Sequence, residues 1–172
     1  MAGVTYAVRV ARRMGLEDAT LLDMRQGALF HDLGKVVIPD GVLLKPGPLT
    51  PEERAVVQRH PAVGAELLAP MRTMVKTIPI VRAHHERMDG SGYPDGIDGG
   101  ALPIAIRIVS IADVYDALTT NRAYRGALAR ELAYEILEEG VRDGWWDGEV
   151  LRELKAALAE PDADPAPEIS PV

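Results

Sequence analysis

Cysteine is absent from the 172 residues. Neither a disulfide scaffold nor a thiolate metal site is therefore available, and any bound metal must be held by imidazole and carboxylate. Phenylalanine occurs once and tryptophan twice, and no clean period-2 alternation runs along the chain, which argues against a sheet. No apolar run approaches the roughly 20 residues needed to span a bilayer. The opening "MAGVTYAVRVARR" lacks the apolar stretch and small-residue cleavage site of a signal peptide. A cytoplasmic chain without a membrane segment is the default expectation. A broad basic face is missing too. The net charge is -7, but residues 131 to 172 hold 12 Asp/Glu against 3 Lys/Arg, leaving the remainder nearly neutral. Such a body can accept a small anionic ligand and does not fit a duplex nucleic acid.

What is present is helical. Hydrophobic residues make up 47% and charged residues 26%, the balance of a globular protein with one sizeable core. "VTYAVRVARRMG" reads as a helix closed by Gly15, and "LEDATLLDMRQGALFHD" as a second, with Gly34 just past its end. "LTPEERAVVQRH" carries the clearest start signal: Thr50 to cap, Pro51 at the first helical position, and Glu53 to complete a capping box. Pro61 disfavours helical geometry at His60 and predicts a break before "AVGAELLAP". A further helix should end near Met88, in front of "DGSGYPDGIDGG". "LPIAIRIVSIADVYDALTTN" follows, with Ile104, Ile108, Ile111, Tyr115 and Leu118 on one stripe. Two more helices fit "LARELAYEILEEGVRDG" and "DGEVLRELKAALAE". The expected architecture is an all-α helical bundle over residues 1–158, with 159–172 as a disordered tail or linker.

All four histidines, His31, His60, His84 and His85, fall within 55 residues, each beside an expected helix end or break. A single histidine is usually only a partly buried polar residue, but packing alone gives no reason to cluster all four. Neighbours on a helix point about 100° apart, so His31-Asp32 and His84-His85 cannot each aim fully at one ion without distorting the backbone. They can serve two ions, with Asp32 giving one oxygen to each and Asp113 supplying another oxygen. Six nitrogen and oxygen ligands without sulfur suit iron, manganese or a related divalent ion in open coordination better than a closed structural zinc. The zinc-protease pattern H-E-x-x-H is not met, because position 89 is Asp.

"HDLGK", "LLKPGPLTPEE", "HHERMDGSGYPDG" and "IADVYDALTTNRAYR", in this order and spacing, closely resemble the HD-GYP domains, a branch of the HD metal-dependent phosphohydrolases. The resemblance runs from about Tyr6 to about Leu158. It implies a helical bundle with a metal centre in its core, holding two divalent ions, iron or manganese, or a third in a longer chain. The implied reaction is hydrolysis of cyclic di-GMP to pGpG and/or GMP. Carried over by motif, the metal ligands fall on His31, Asp32, His60, His84, His85 and Asp113. Lys35 would stand beside the metals facing a phosphate, and Arg122 and Arg125 would face the phosphates or guanines. Gly92, Tyr93 and Pro94 would form the substrate loop, with Tyr93 stacking on guanine or donating its hydroxyl. Glu86 and Asp89 would either orient ligating imidazoles or be solvated. Asp116 is expected to bind an arginine instead of a metal, and Trp145 and Trp146 to anchor the last helices.

The resemblance also implies an N-terminal sensory or receiver domain in a longer parent chain, and allows a homodimer. Its first-helix Glu or His ligand would fall at or before Met1, so the expectation is either a fragment of a longer protein with its first helix truncated, or a centre of two metals at most that binds its ions weakly. The alternative expectation is a weak or inactive module that binds cyclic di-GMP or a signalling partner protein. A nucleotidase acting on mononucleotides would fit the metals but leave "DGSGYP" unexplained.

Overall fold

The computed structural model describes residues 2–121 and 126–160. Among these residues the chain folds as a helical bundle without strands; one isolated antiparallel bridge, between Asp89 and Asp98, closes the base of a loop. The helices are α1 (Ala2–Arg13), α2 (Asp18–Phe30), α3 (Asp40–Leu43), α4 (Pro51–Val57), α5 (His60–Leu68), α6 (Ile78–Ala83), α7 (Ile104–Thr119), α8 (Arg130–Arg142) and α9 (Gly148–Ala159). Short 3-10 segments lie at Leu33–Val37, Arg72–Met74 and Gly99–Ala101.

α7 is the axis. It buries Ile106, Ile108, Val109, Ile111, Ala112 and Tyr115, while Ile104 and Leu118 pack half-buried at its ends. A helix apolar on so much of its circumference must be surrounded, and α1, α2, α6, α8 and α9 pack against it. α1 offers Ala7, Val10 and Ala11 to this core and keeps its arginines outside. Those arginines fasten the other end of the chain: Arg9 donates to the carbonyls of Ala157 and Glu160, and Arg13 pairs with Glu153 and Glu160. Carbonyls at the end of α9 lack helical partners; Arg9 satisfies two of them, and Arg13 joins the side chains of Glu153 and Glu160, so both close α1 onto α9.

Local signals read correctly where they are local. Gly15 turns the chain after α1 with a φ of 72°. Thr50 Oγ accepts from the Glu53 amide while Glu53 accepts from the Thr50 amide, and Pro51 opens α4. The helix breaks at residues 58–59, ahead of the expected place: His60 is itself the first residue of α5, and Pro61 sits in the opening turn, where a proline is tolerated. Two other expectations need correction. α6 stops at Ala83, five residues before Met88, because the segment turns where the histidines begin. Gly34 does not cap α2. It lies within the 3-10 segment pressed against α5, and a Cβ there would sit 2.0 Å from the His60 carbonyl oxygen. Residues 161–172 of the expected tail lie outside the described residues.

Candidate metal centre

Five of the six expected ligands come from helix ends. His31 ends α2 and Asp32 follows it; His60 opens α5; His84 ends α6 and His85 lies one residue beyond. Asp113 projects from the middle of α7. The structure brings all six together. Asp32 lies between two imidazoles, with Oδ1 3.5 Å from His60 Nε2 and Oδ2 3.5 Å from His31 Nε2. His31 Nε2 is also 3.3 Å from Asp113 Oδ1, and His60 Nε2 is 3.3 Å from His84 Nε2. The His84 and His85 rings are 4.1 Å apart, centroid to centroid.

The adjacency argument is corrected at one point. His60, His84 and His85 present ring nitrogens that all lie within 4.8 Å of one another, so the neighbouring pair does converge on one place. The step of about 100° applies inside a helix, and α6 has already ended at Ala83.

Hydrogen bonding fixes how the rings face. Nδ1 of His31, His60 and His84 lies 2.9, 2.8 and 2.8 Å from the carbonyls of Ala28, Val57 and Val81. A carbonyl only accepts, so each Nδ1 carries a proton; the neutral rings of His60 and His84 turn a bare Nε2 inward, while Nε2 of His31 faces the Asp113 carboxylate, to which it donates when the ring is protonated. His60 and His84, each 1% exposed, then oppose two lone pairs at 3.3 Å. A proton between them would relieve this, yet burial holds the pKa of His60 below, and that of His84 well below, the ordinary imidazole value; His85 and His31 add to the effect on His84. A divalent cation accepting both lone pairs resolves the conflict, so the donor set fits a metal.

The rest of the electrostatics grades the site. Burial pushes His85 down to about 4. Burial opposes protonation of His31 as well, but the hydrogen bond and charge of Asp113, with the charge of Asp32, outweigh it and raise its pKa. Burial likewise works against ionisation of Asp113; its bond to His31 and the surrounding imidazoles prevail and hold it well below the usual carboxylate range. A cavity of about 140 Å³ opens beside His31, Asp113 and Asp116, and α1 meets it with Gly3 and Val4, neither of which has a ligating side chain.

Lys35 Nζ donates to Asp32 Oδ2 at 2.7 Å, at the mouth of the site. The Tyr93 ring lies over His85, 4.7 Å between centroids and tilted by 31°, and the Tyr93 amide donates to the His85 carbonyl. Burial, then the charges of Asp113 and Asp32, push the phenol pKa upward, so Tyr93 keeps its proton. Pro94 follows through a cis peptide bond. Gly92 is required against the chain itself, where a Cβ would meet Glu86 Cα at 2.4 Å. Arg122 and Arg125 lie outside the described residues, and Asp116 Oδ1 accepts from Thr120 Oγ at 3.2 Å.

Asp89 is exposed, as one of the two suggested readings has it, whereas Glu86 serves neither suggested role. Asp89 accepts from the amide and hydroxyl of Ser91. Glu86, 1% exposed, accepts from the amides of Asp95, Gly96 and Ile97. Sequence reasoning missed this anchor, although an acidic residue just ahead of a glycine-rich loop with amides to satisfy was its signal. Trp146 packs on the core and Trp145 lies under the Arg87 guanidinium, 4.1 Å away, so both anchor the end of the bundle.

A helical bundle with imidazoles and carboxylates clustered at its helix ends is the architecture of an HD domain. The family model described as HD domain matches residues 3–150. The chain belongs to the HD-domain family, in the HD-GYP branch whose motifs it carries. It is 45% identical over 135 residues to the cyclic di-GMP phosphodiesterase response regulator RpfG of Xanthomonas campestris pv. campestris, a match covering 76% of this chain and 36% of the relative. It is 36% identical over 156 residues to 3'3'-cGAMP-specific phosphodiesterase 3 of Vibrio cholerae, covering 89% of this chain and 33% of that protein. The chain thus spans about a third of the length of these relatives. The fold also matches an HDG"Y"P protein of Bdellovibrio bacteriovorus with a TM-score of 0.75 at 24% identity, covering 92% of this chain and 51% of that one. No described helix is long and apolar enough to cross a membrane.

Proposed function

We propose that this chain hydrolyses a cyclic dinucleotide, cyclic di-GMP first among them, to pGpG and/or GMP, using two divalent ions, iron or manganese, held by His31, Asp32, His60, His84, His85 and Asp113. The observation that carries the reading is the opposed Nε2 pair of His60 and His84, 3.3 Å apart in a buried site. Bound ions supply the Lewis acidity that makes water nucleophilic at neutral pH and steadies charge on the phosphate oxygens. The chain's residues do the rest. Asp32 offers its two oxygens to opposite sides and thereby sets the spacing of the two halves. Lys35 places a compact positive charge beside a non-bridging phosphate oxygen. Tyr93, with its phenol protonated, gives the substrate a flat donor-bearing wall above His85, and Arg122 and Arg125 complete the anion site. Relatives named for cyclic di-GMP and for 3'3'-cGAMP support the substrate class, and one named a response regulator supports a regulatory domain in a longer parent chain; we place the chain in the cytoplasm.

Anaerobic, iron- or manganese-reconstituted protein is incubated with cyclic di-GMP and with 3'3'-cGAMP, and the products are separated by chromatography. Linear dinucleotide or mononucleotide supports the reading. Tight binding without turnover at either metal overturns it in favour of the binding module.

A further inference from the structure

We infer that Glu86 is a positioning residue for substrate: its buried carboxylate sets the height of Tyr93 over the metal centre. The inference rests on the proposed reading of the Tyr93 loop and deepens it. Burying a carboxylate is costly unless its oxygens are well supplied with donors. Glu86 is supplied by three consecutive backbone amides, with Asp95 N at 2.7 Å and Gly96 N at 3.1 Å from Oε1, and Ile97 N at 3.1 Å from Oε2. The same loop is tied on its other side by the Tyr93 amide, 3.2 Å from the carbonyl of His85. Two consecutive residues, His85 and Glu86, therefore grip both sides of Pro94, and the phenol is left lying on the imidazole of His85. Gly92 permits this closeness, since any Cβ there would strike the Glu86 backbone. From outside, Arg82 makes two 2.7 Å bonds to Asp95 and steadies the same turn. The candidate ligand His85 and the substrate wall thus share one short piece of backbone, so how the Tyr93 ring lies over the His85 imidazole depends on the Glu86 side chain holding the turn at residues 95–97.

The variant is Glu86→Gln, which keeps the volume but turns an amide NH2 toward a backbone donor. Its KM for cyclic di-GMP should rise about tenfold, the cost of one buried unsatisfied N–H, with a much smaller change in kcat and the wild-type metal content. The same substitution in a Tyr93→Ala background should add nothing to KM, since Glu86 acts through Tyr93. An equal rise in that background, or loss of metal, overturns the inference. Arg82→Ala, an exposed change, provides a second variant, with a smaller KM rise that also vanishes with Tyr93→Ala. Should the wild type turn over no cyclic dinucleotide, the proposed function fails by itself. Glu86 is then read by NMR: in Glu86→Gln the amides of residues 95–97 should exchange faster and the His85 ring protons should lose their Tyr93 ring-current shift, while core amides of α7 stay protected. Unchanged exchange and unchanged shift refute the positioning role.

Discussion

Gly34→Ala should damage stability and metal binding together, although Gly34 touches no metal ligand with a side chain. A Cβ at this position would lie 2.0 Å from the His60 carbonyl oxygen, 2.6 Å from the Gly64 nitrogen and 2.9 Å from the His60 carbonyl carbon. Contacts closer than 3.0 Å do not occur at real Cβ atoms, so the segment and α5 must separate by about 1 Å, because every atom met is backbone and cannot rotate aside. Overpacking of this kind costs about 1–3 kcal/mol, and the upper end applies here. For a chain of this size each kcal/mol lowers the melting temperature by roughly 2–4 °C, giving a drop of roughly 6–12 °C. The same separation pulls Asp32, two residues before Gly34, away from His60, which it meets at 3.5 Å. Sites lose function at misplacements of about 1 Å, so turnover should fall by about a hundredfold and metal content should drop. Thermal unfolding, metal analysis and turnover are measured on one preparation. Gly41→Ala is the control: it lies in α3, with open space where its Cβ would go, and should be neutral or slightly stabilising. Full metal content with an unchanged melting temperature in Gly34→Ala would refute the reasoning.

Metal affinity should fall in two stages on acidification, the second only near pH 4, since only neutral imidazole binds metal. His31, whose pKa is raised, takes up its proton first and weakens the ion beside Asp113. His85 stays neutral down to about 4 and retains the other ion with His60 and His84; calorimetric titrations at several pH values would contradict this if both ions left together. Lys35→Ala should reduce kcat by at least about tenfold through lost electrostatic stabilisation, with metal content intact; an unchanged kcat removes Lys35 from the proposed site. Thr50→Ala breaks the capping box and should cost about 1 kcal/mol by urea unfolding, without affecting turnover; a large activity loss would mean that α4 does more than support His60.

How much of this was legible depends on how far each signal reaches along the chain. The capping box of Thr50 and Glu53 and the turn at Gly15 are written within a few residues, and each stands where the sequence places it; the break expected at His60 falls at residues 58–59 instead, with Pro61 accommodated in the first turn of α5. The four histidines were legible as candidate ligands because their clustering along the chain needs no geometry, while Asp32 and Asp113 were candidates through adjacency, helix position and the family motifs. The convergence of His84 with His85 was not, since it depends on α6 ending at Ala83, and periodicity does not locate a helix end to one residue. Gly34 and Glu86 were misread for a different reason. Their partners, the carbonyl of His60 and the amides of residues 95–97, are tertiary, and the direction of a backbone group in a loop leaves no mark on composition.

Helix ends themselves explain why this centre is built from histidine. The last carbonyls of a helix have no amide to bond. His31 donates to Ala28 and His84 to Val81, each three residues back in the helix just ended, while His60 donates to Val57, the final residue of α4. One proton in each case satisfies an orphan carbonyl, chooses the tautomer and turns the opposite nitrogen inward. A carboxylate at the same position has no proton for the carbonyl, and a lysine has no lone pair while charged. Three separate helix terminations thus impose the same residue type and the same ring orientation. Packing of α2 and α6 against α7, and of α5 against α6 and the 3-10 segment Leu33–Val37, then brings those ends together with Asp113, and the spacing of His31, His60 and His84 along the chain follows from where the helices stop.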